Sequence, residues 1–137
     1  MRWAVLDTNV YIDFWERGLH AHALQTIHAA FVVRHAAIVL SELRRGARTQ
    51  EARRTVESLY RLATEVWEPS VEDWWEAGKL VREIGDQQNW DINKRRRFQN
   101  DALLGLTVRR RGALLVTANR SDFRLIERRI GVRIQYL

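Results

Sequence analysis

Residues 3–9 read WAVLDTN, so that four apolar residues are followed at once by Asp7, Thr8 and Asn9. A strand that is apolar at every position is typical of a parallel sheet covered by helices on both faces. In such sheets, ligands bind beyond the carboxyl ends of the strands. This stretch therefore predicts a buried strand and places Asp7 where a functional group is expected.

The same pattern recurs further along the chain. The run AAIVL at 36–40 ends in Ser41 and Glu42, and the run ALLV at 113–116 ends in Thr117, with Asn119 and Asp122 close behind. Both runs are interpreted as buried strands, and the intervening segments have helical spacing of apolar residues. The helices are predicted at 10–17, 20–30, 43–47, 51–63, 71–84, 98–111 and 121–129, and short strands at 65–67 and 132–134. Alternating strands and helices predict an α/β fold with a parallel sheet, and we expect a single domain over residues 1–137.

Composition excludes several classes of function. The chain has no cysteine, which excludes disulfides, thiolate metal ligands and a cysteine nucleophile. No apolar run approaches the roughly 18 residues of a membrane span, and no signal-peptide pattern is present. We therefore expect a cytoplasmic protein without a membrane partner.

The charge of the chain favours a nucleic-acid partner. The formal net charge is +6, and Lys79 and Lys94 are the only lysines, so nearly all of the positive charge is arginine. Arginine makes bidentate contacts to phosphate. A genome rich in G and C also produces arginine-rich proteins, so the charge alone does not decide between these explanations.

Acidic residues gather where the topology predicts a site. Asp7, Glu42 and Asp122 follow apolar runs, and Asp101 lies near the start of the helix predicted at 98–111. Carboxylates that crowd together raise each other's pKa, and a bound cation relieves the repulsion. Oxygen ligands favour Mg²⁺ or Mn²⁺, which can activate a water molecule against a phosphodiester. Any one of these acids could instead cap a helix or complement its dipole.

Polar and basic neighbours complete the predicted site. We expect Thr8, Asn9, Ser41 and Thr117 to orient ligands and water. The basic run 94–97 precedes Asp101, and two arginines follow Glu42; solvated surface is the alternative to RNA-backbone binding for both groups. The candidate RNA-binding residues are Arg44, Arg45, Lys94, Arg95, Arg96 and Arg97.

Four blocks of sequence, in order, resemble a PIN-domain ribonuclease, and within that family the VapC-type toxins of type II toxin–antitoxin pairs. The blocks are LDTNV at 6–10, SELRRG at 41–46, NDALL at 100–104 and VTANRSDF at 116–123. The resemblance implies a three-layer α/β/α sandwich with a central parallel sheet. It also implies an Mg²⁺- or Mn²⁺-dependent endoribonuclease, a homodimer, and a cognate antitoxin that inserts a segment near the active site.

Matching motifs assign Asp7, Glu42 and Asp101 as the catalytic, metal-binding acids. Many relatives carry Asp at the position of Asn119, whereas others share the Asn-x-x-Asp-Phe form found here. Asn119 is therefore assigned as an orienting ligand and Asp122 as the fourth catalytic, metal-binding acid, which favours one metal ion over two.

Two other functions remain open at the level of sequence. Asn119 is compatible with a PIN fold that binds RNA or protein without cleaving it. A receiver-like phosphoacceptor would also place an Asp at a strand end, but it normally needs a lysine after a strand, and neither lysine has that position. The sequence does not identify the RNA, because base readout in single strands depends on the shape of the pocket.

Overall fold

A parallel sheet of five strands forms the centre of the protein in the computed structural model, which describes residues 2–137. The order across the sheet is β3-β2-β1-β4-β5. The strands are β1 (Trp3–Leu6), β2 (Val32–Ala36), β3 (Val66–Trp67), β4 (Leu114–Thr117) and β5 (Arg133–Tyr136).

Within residues 2–137, seven helices flank the sheet and complete the three-layer α/β/α arrangement, so the predicted fold class is confirmed. They are α1 (Thr8–Arg17), α2 (Ala21–Ala30), α3 (Ala37–Gly46), α4 (Gln50–Leu62), α5 (Val71–Gln88), α6 (Ile92–Arg110) and α7 (Arg120–Glu127). None of the helices within residues 2–137 is both long enough and apolar enough to cross a membrane.

The register of β1 and β4 places two polar strand ends side by side. Leu6 lies opposite Val116, and the Asp7 amide donates to the Val116 carbonyl oxygen at 2.9 Å. The residues that follow, Asp7 and Thr117, are therefore neighbours at the carboxyl edge of the sheet.

The apolar run 36–40 was predicted as a strand, and this prediction is wrong. The strand β2 ends at Ala36, and α3 begins at the next residue. Val39, Leu40 and Leu43 are all buried, which is the spacing of one helix face. A short apolar run fits a buried strand and a buried helix equally well, so periodicity does not distinguish them. As a result, Glu42 is carried by a helix rather than by a strand end.

Helix α6 begins well before the predicted start at residue 98. Asp91 caps it, because its side-chain oxygen Oδ1 accepts from the Lys94 amide at 2.8 Å. The basic run 94–97 is consequently helical. Further along, α6 passes through the core, where Leu103 and Leu106 are completely buried, and this packing fixes the position of Asp101 at the edge of the sheet.

Candidate active site

Asp7 is the most deeply buried acid of the predicted site, with 4% of its surface exposed. It caps α1, since Oδ1 accepts from the Thr8 amide at 2.8 Å. Its other oxygen, Oδ2, accepts from Thr117 Oγ1 at 2.7 Å and from Asn9 Nδ2 at 3.2 Å. Burial raises the pKa of Asp7, the three hydrogen bonds lower it, and the charge of Glu42 raises it further.

Asn9 and Thr117 connect α1 to the loop after β4. Asn9 Oδ1 accepts from the Ala118 amide at 3.2 Å, and Thr117 Oγ1 accepts from the Asn119 amide at 3.0 Å. Each of these side chains therefore contacts Asp7 and also fixes the backbone of the neighbouring loop. This arrangement determines the orientation of the Asp7 carboxylate.

Glu42 reaches the same edge from α3. Its Oε1 accepts from Thr8 Oγ1 at 2.8 Å, and Oε2 has a longer contact of 3.5 Å with Asn100 Nδ2. Thr8 follows Asp7 directly, so this hydrogen bond brings the second acid close to the first.

Asp101 shows how closely the acids are grouped. Its pKa is raised to about 8, mainly by burial and then by the negative charges of Asp7, Asp122 and Glu42, whereas Lys94 lowers it. Four acids that are distant in sequence therefore act on one another electrostatically at a single edge of the sheet.

Asp122 lies in the first turn of α7 and is paired with a lysine. Its Oδ2 accepts from Lys94 Nζ at 2.7 Å and is 3.3 Å from Asn119 Nδ2. The Asn119 amide nitrogen also lies 3.4 Å from Asp101 Oδ2. Asn119 therefore bridges the two acids, while its own Oδ1 faces the Asp122 amide at the N-terminus of α7.

A cleft at this edge of the sheet is lined by partly buried acids and by exposed arginines, which form its rim. The residues that line it are Glu42, Arg45, Lys94, Arg96, Arg97, Asn100, Asp101, Asn119 and Asp122. The basic side chains attract a ligand with a negative charge toward this cleft.

Three residues of the predicted site lie elsewhere. Ser41 and Arg44 line a separate groove between α3 and α4; Ser41 precedes Glu42 on a helix, so its side chain points about 100° away. Arg95 also turns from the cleft, donating to Asp86 Oδ1 at 2.8 Å and to the Trp90 carbonyl at 3.0 Å. The predictions of an orienting role for Ser41 and of RNA contacts in the cleft for Arg44 and Arg95 therefore find no support in their positions.

The family model of the PIN domain matches residues 4–128. This chain belongs to the PIN domain family. The match spans all four sequence blocks that resemble the family, and the resemblance seen in the sequence is confirmed. A comparison with curated proteins finds no match to this chain.

Solved structures similar to this PIN domain include VapBC toxin–antitoxin proteins. VapBC2 from Rickettsia felis, bound to a DNA fragment from their promoter, gives a TM-score of 0.69 at 20% identity, with 98% of each chain covered. VapBC-1 from nontypeable Haemophilus influenzae gives 0.70 at 21% identity, covering 98% of this chain and 97% of that chain. VapBC-5 from Mycobacterium tuberculosis gives 0.59 at 19% identity over the whole of both chains. At these low sequence identities, the structural similarity establishes a shared fold and no more.

The acids of this PIN domain have the donor chemistry of a site for a hard cation. All four supply carboxylate oxygens, and the raised pKa of Asp101 reflects burial first and then repulsion by the other three acids, which a cation would relieve. As placed, no three His, Asp or Glu side chains within residues 2–137 are grouped closely enough to hold an ion together. The carboxylates of Asp7, Glu42 and Asp122 face hydrogen-bond donors instead. The residue types therefore fit a divalent ion, and binding one requires rotation of side chains.

Asn100 is a residue of the cleft that was not predicted as part of the site. It lines the cleft beside Asp101 and lies within 3.5 Å of Glu42. The sequence indicated a role for Asn100 only through its place in the block NDALL, next to Asp101. On a helix, however, sequence proximity to an acid does not reveal which neighbour a side chain faces.

We predict that Asp101 makes the stability of the metal-free protein depend on pH. Because the folded-state pKa is about 8 and the ordinary value is 3.8, the folded state binds this proton more tightly. The resulting stabilisation is complete below about pH 4 and is lost as the pH rises through about 8. Urea unfolding in EDTA should show that the wild type loses more stability over this interval than Asp101→Asn. Parallel pH profiles for the two proteins would contradict the raised pKa.

Proposed function

We propose that this PIN domain is a metal-dependent endoribonuclease and the toxin of a type II toxin–antitoxin pair. The observation that carries the proposal is the grouping of four acids: Thr8, next to Asp7, donates to Glu42, and Asn119 lies within 3.4 Å of both Asp101 and Asp122. Membership of the PIN domain family supports a nuclease, and the four acids supply oxygen ligands and no other reactive group.

Asp7, Glu42 and Asp101 are proposed to hold one Mg²⁺ or Mn²⁺ ion, with Asp122 acting through water. When bound, such an ion lowers the pKa of a coordinated water molecule and polarises a phosphoryl oxygen. Thr117 and Asn9 would keep the Asp7 carboxylate oriented, because both donate to its Oδ2. Thr8 would do the same for Glu42. These contacts set the starting orientation of both carboxylates, from which they would rotate to bind the ion.

Arg45, Arg96 and Arg97 at the rim of the cleft are proposed to bind the RNA backbone. Contacts of this kind supply affinity and position the scissile phosphate over the acids without reading the base. The affinity for RNA should therefore fall as the salt concentration rises.

We propose an antitoxin partner and a homodimer on the basis of the resemblance to VapC-type toxins. VapBC-5, one of the similar structures, is described as a member of the VapBC family of toxin-antitoxin systems.

For the partner, we expect the product of a small adjoining reading frame to copurify with this chain and to inhibit its RNA cleavage. Light scattering should give the mass of two chains for the free protein. Lack of copurification and inhibition would exclude the antitoxin assignment, and a monomeric mass would exclude the dimer.

Asp7→Asn should reduce RNA cleavage by about a hundredfold or more, equivalent to ~2.7 kcal/mol of transition-state stabilisation. The substitution removes a carboxylate charge from the proposed ion site while keeping a side chain of the same shape. The measurement is the rate of cleavage of total RNA with Mg²⁺ or Mn²⁺, and EDTA should abolish it. Asp13→Asn is the matched control, because Asp13 belongs to α1 but pairs with Arg17 and His20 outside the cleft.

Other outcomes of this assay favour the alternatives. RNA binding without cleavage at any metal concentration indicates a non-catalytic RNA-binding PIN domain. Incorporation of acid-labile phosphate at Asp7 indicates a phosphoacceptor. Equal loss of cleavage in Asp7→Asn and Asp13→Asn would show that the effect is not specific to the site.

A further inference from the structure

Lys94 is a cation fixed inside the acidic cleft. Its Nζ lies 2.7 Å from Asp122 Oδ2, with 28% and 15% of the two side chains exposed. The same ammonium lies 4.9 Å from the centre of the Trp90 ring, a favourable cation–π distance. The aromatic ring and the carboxylate together hold the lysine in place, so it differs from the solvated charges of an ordinary surface.

The other basic residues of the cleft are not held in this way. Arg45, Arg96 and Arg97 line the rim, yet no ion pair to an acid is found for any of them in the described part of the chain. They are available to a ligand, whereas Lys94 is already engaged with Asp122. Lys94 thus has a role distinct from that of its neighbours in the basic run.

The space between Asp101 and Asp122 is supplied with donors from two elements. Lys94 of α6 donates to Asp122, and Asn119 Nδ2 lies 3.3 Å from Asp122 and 3.4 Å from Asp101. Asp7 and Glu42, by contrast, face neutral hydroxyl and amide donors. Asp7 and Glu42 are therefore hydrogen-bonded to neutral groups, whereas Asp122 already has a positive charge beside it.

We propose that Lys94 acts as a built-in cation at Asp122 and limits the cleft to one divalent ion, held on the side of Asp7, Glu42 and Asp101. A second divalent ion between Asp101 and Asp122 would have to displace the ammonium and would be repelled by it at short range. Lys94 is on this account a positioning residue, which acts by fixing and neutralising Asp122. The inference rests on the proposed function, because it assumes that the acids bind a divalent ion.

The number of bound Mn²⁺ ions tests this directly and does not depend on activity. Calorimetric titration and electron paramagnetic resonance would be applied to the full chain. We expect one ion in the wild type and a second, spin-coupled ion in Lys94→Gln. Lys94→Arg keeps the positive charge and should bind one Mn²⁺ ion, as the wild type does. Lys79→Gln removes the charge of the exposed lysine on α5 and should also bind one Mn²⁺ ion. Circular dichroism verifies that each variant is folded.

The remaining outcomes overturn the inference in distinguishable ways. Two ions in the wild type, or one ion in folded Lys94→Gln, would show that Lys94 does not set the number, while the proposed nuclease function would stand. A second ion in Asn119→Asp with Lys94 intact would assign the limit to Asn119. Absence of Mn²⁺ binding to the wild type would overturn both this inference and the proposed function.

Discussion

Repulsion among the carboxylates of Asp7, Glu42, Asp101 and Asp122 is the constraint that shapes this edge of the sheet. The surrounding structure compensates part of it with hydrogen-bond donors and with the ammonium of Lys94. Burial and the three neighbouring charges nevertheless raise the pKa of Asp101 to about 8. Such a site stores unfavourable energy in the folded protein, and a divalent cation is the simplest ligand that releases it.

The fold brings together acids that lie on or next to different strands and helices and are distant in the sequence. The β1–β4 register places Asp7 beside Thr117, α3 carries Glu42, and the buried middle of α6 fixes Asp101. Lys94 and Asp101 belong to the same helix, so the core packing that positions the acid also positions the cation. Changes in the core are therefore expected to alter the geometry of the cleft even though they lie outside it.

The sequence was most informative where a residue's position follows from the strand that precedes it. Asp7 and Thr117 were predictable because continuous apolarity identifies β1 and β4, and both residues lie at the ends of those strands. Glu42 was recognised through its motif, although the run before it is helical rather than extended. The positions of Ser41, Arg44 and Arg95 depend on helix phase and tertiary packing. The pairing of Lys94 with Asp122 depends on how α6 approaches α7, which no local pattern encodes.

Asp7, Glu42, Asp101 and Asp122 are proposed to form one divalent-metal pocket, and anomalous diffraction from crystals soaked in Mn²⁺ tests this most directly. We expect a single anomalous peak in the cleft, coordinated by oxygens of Asp7, Glu42 and Asp101, with Lys94 still paired to Asp122. Binding must be accompanied by rotation of these carboxylates, since no three of the acids described in residues 2–137 are grouped around an ion as placed. A cleft without a peak at saturating Mn²⁺, or a peak coordinated elsewhere on the surface, would contradict it.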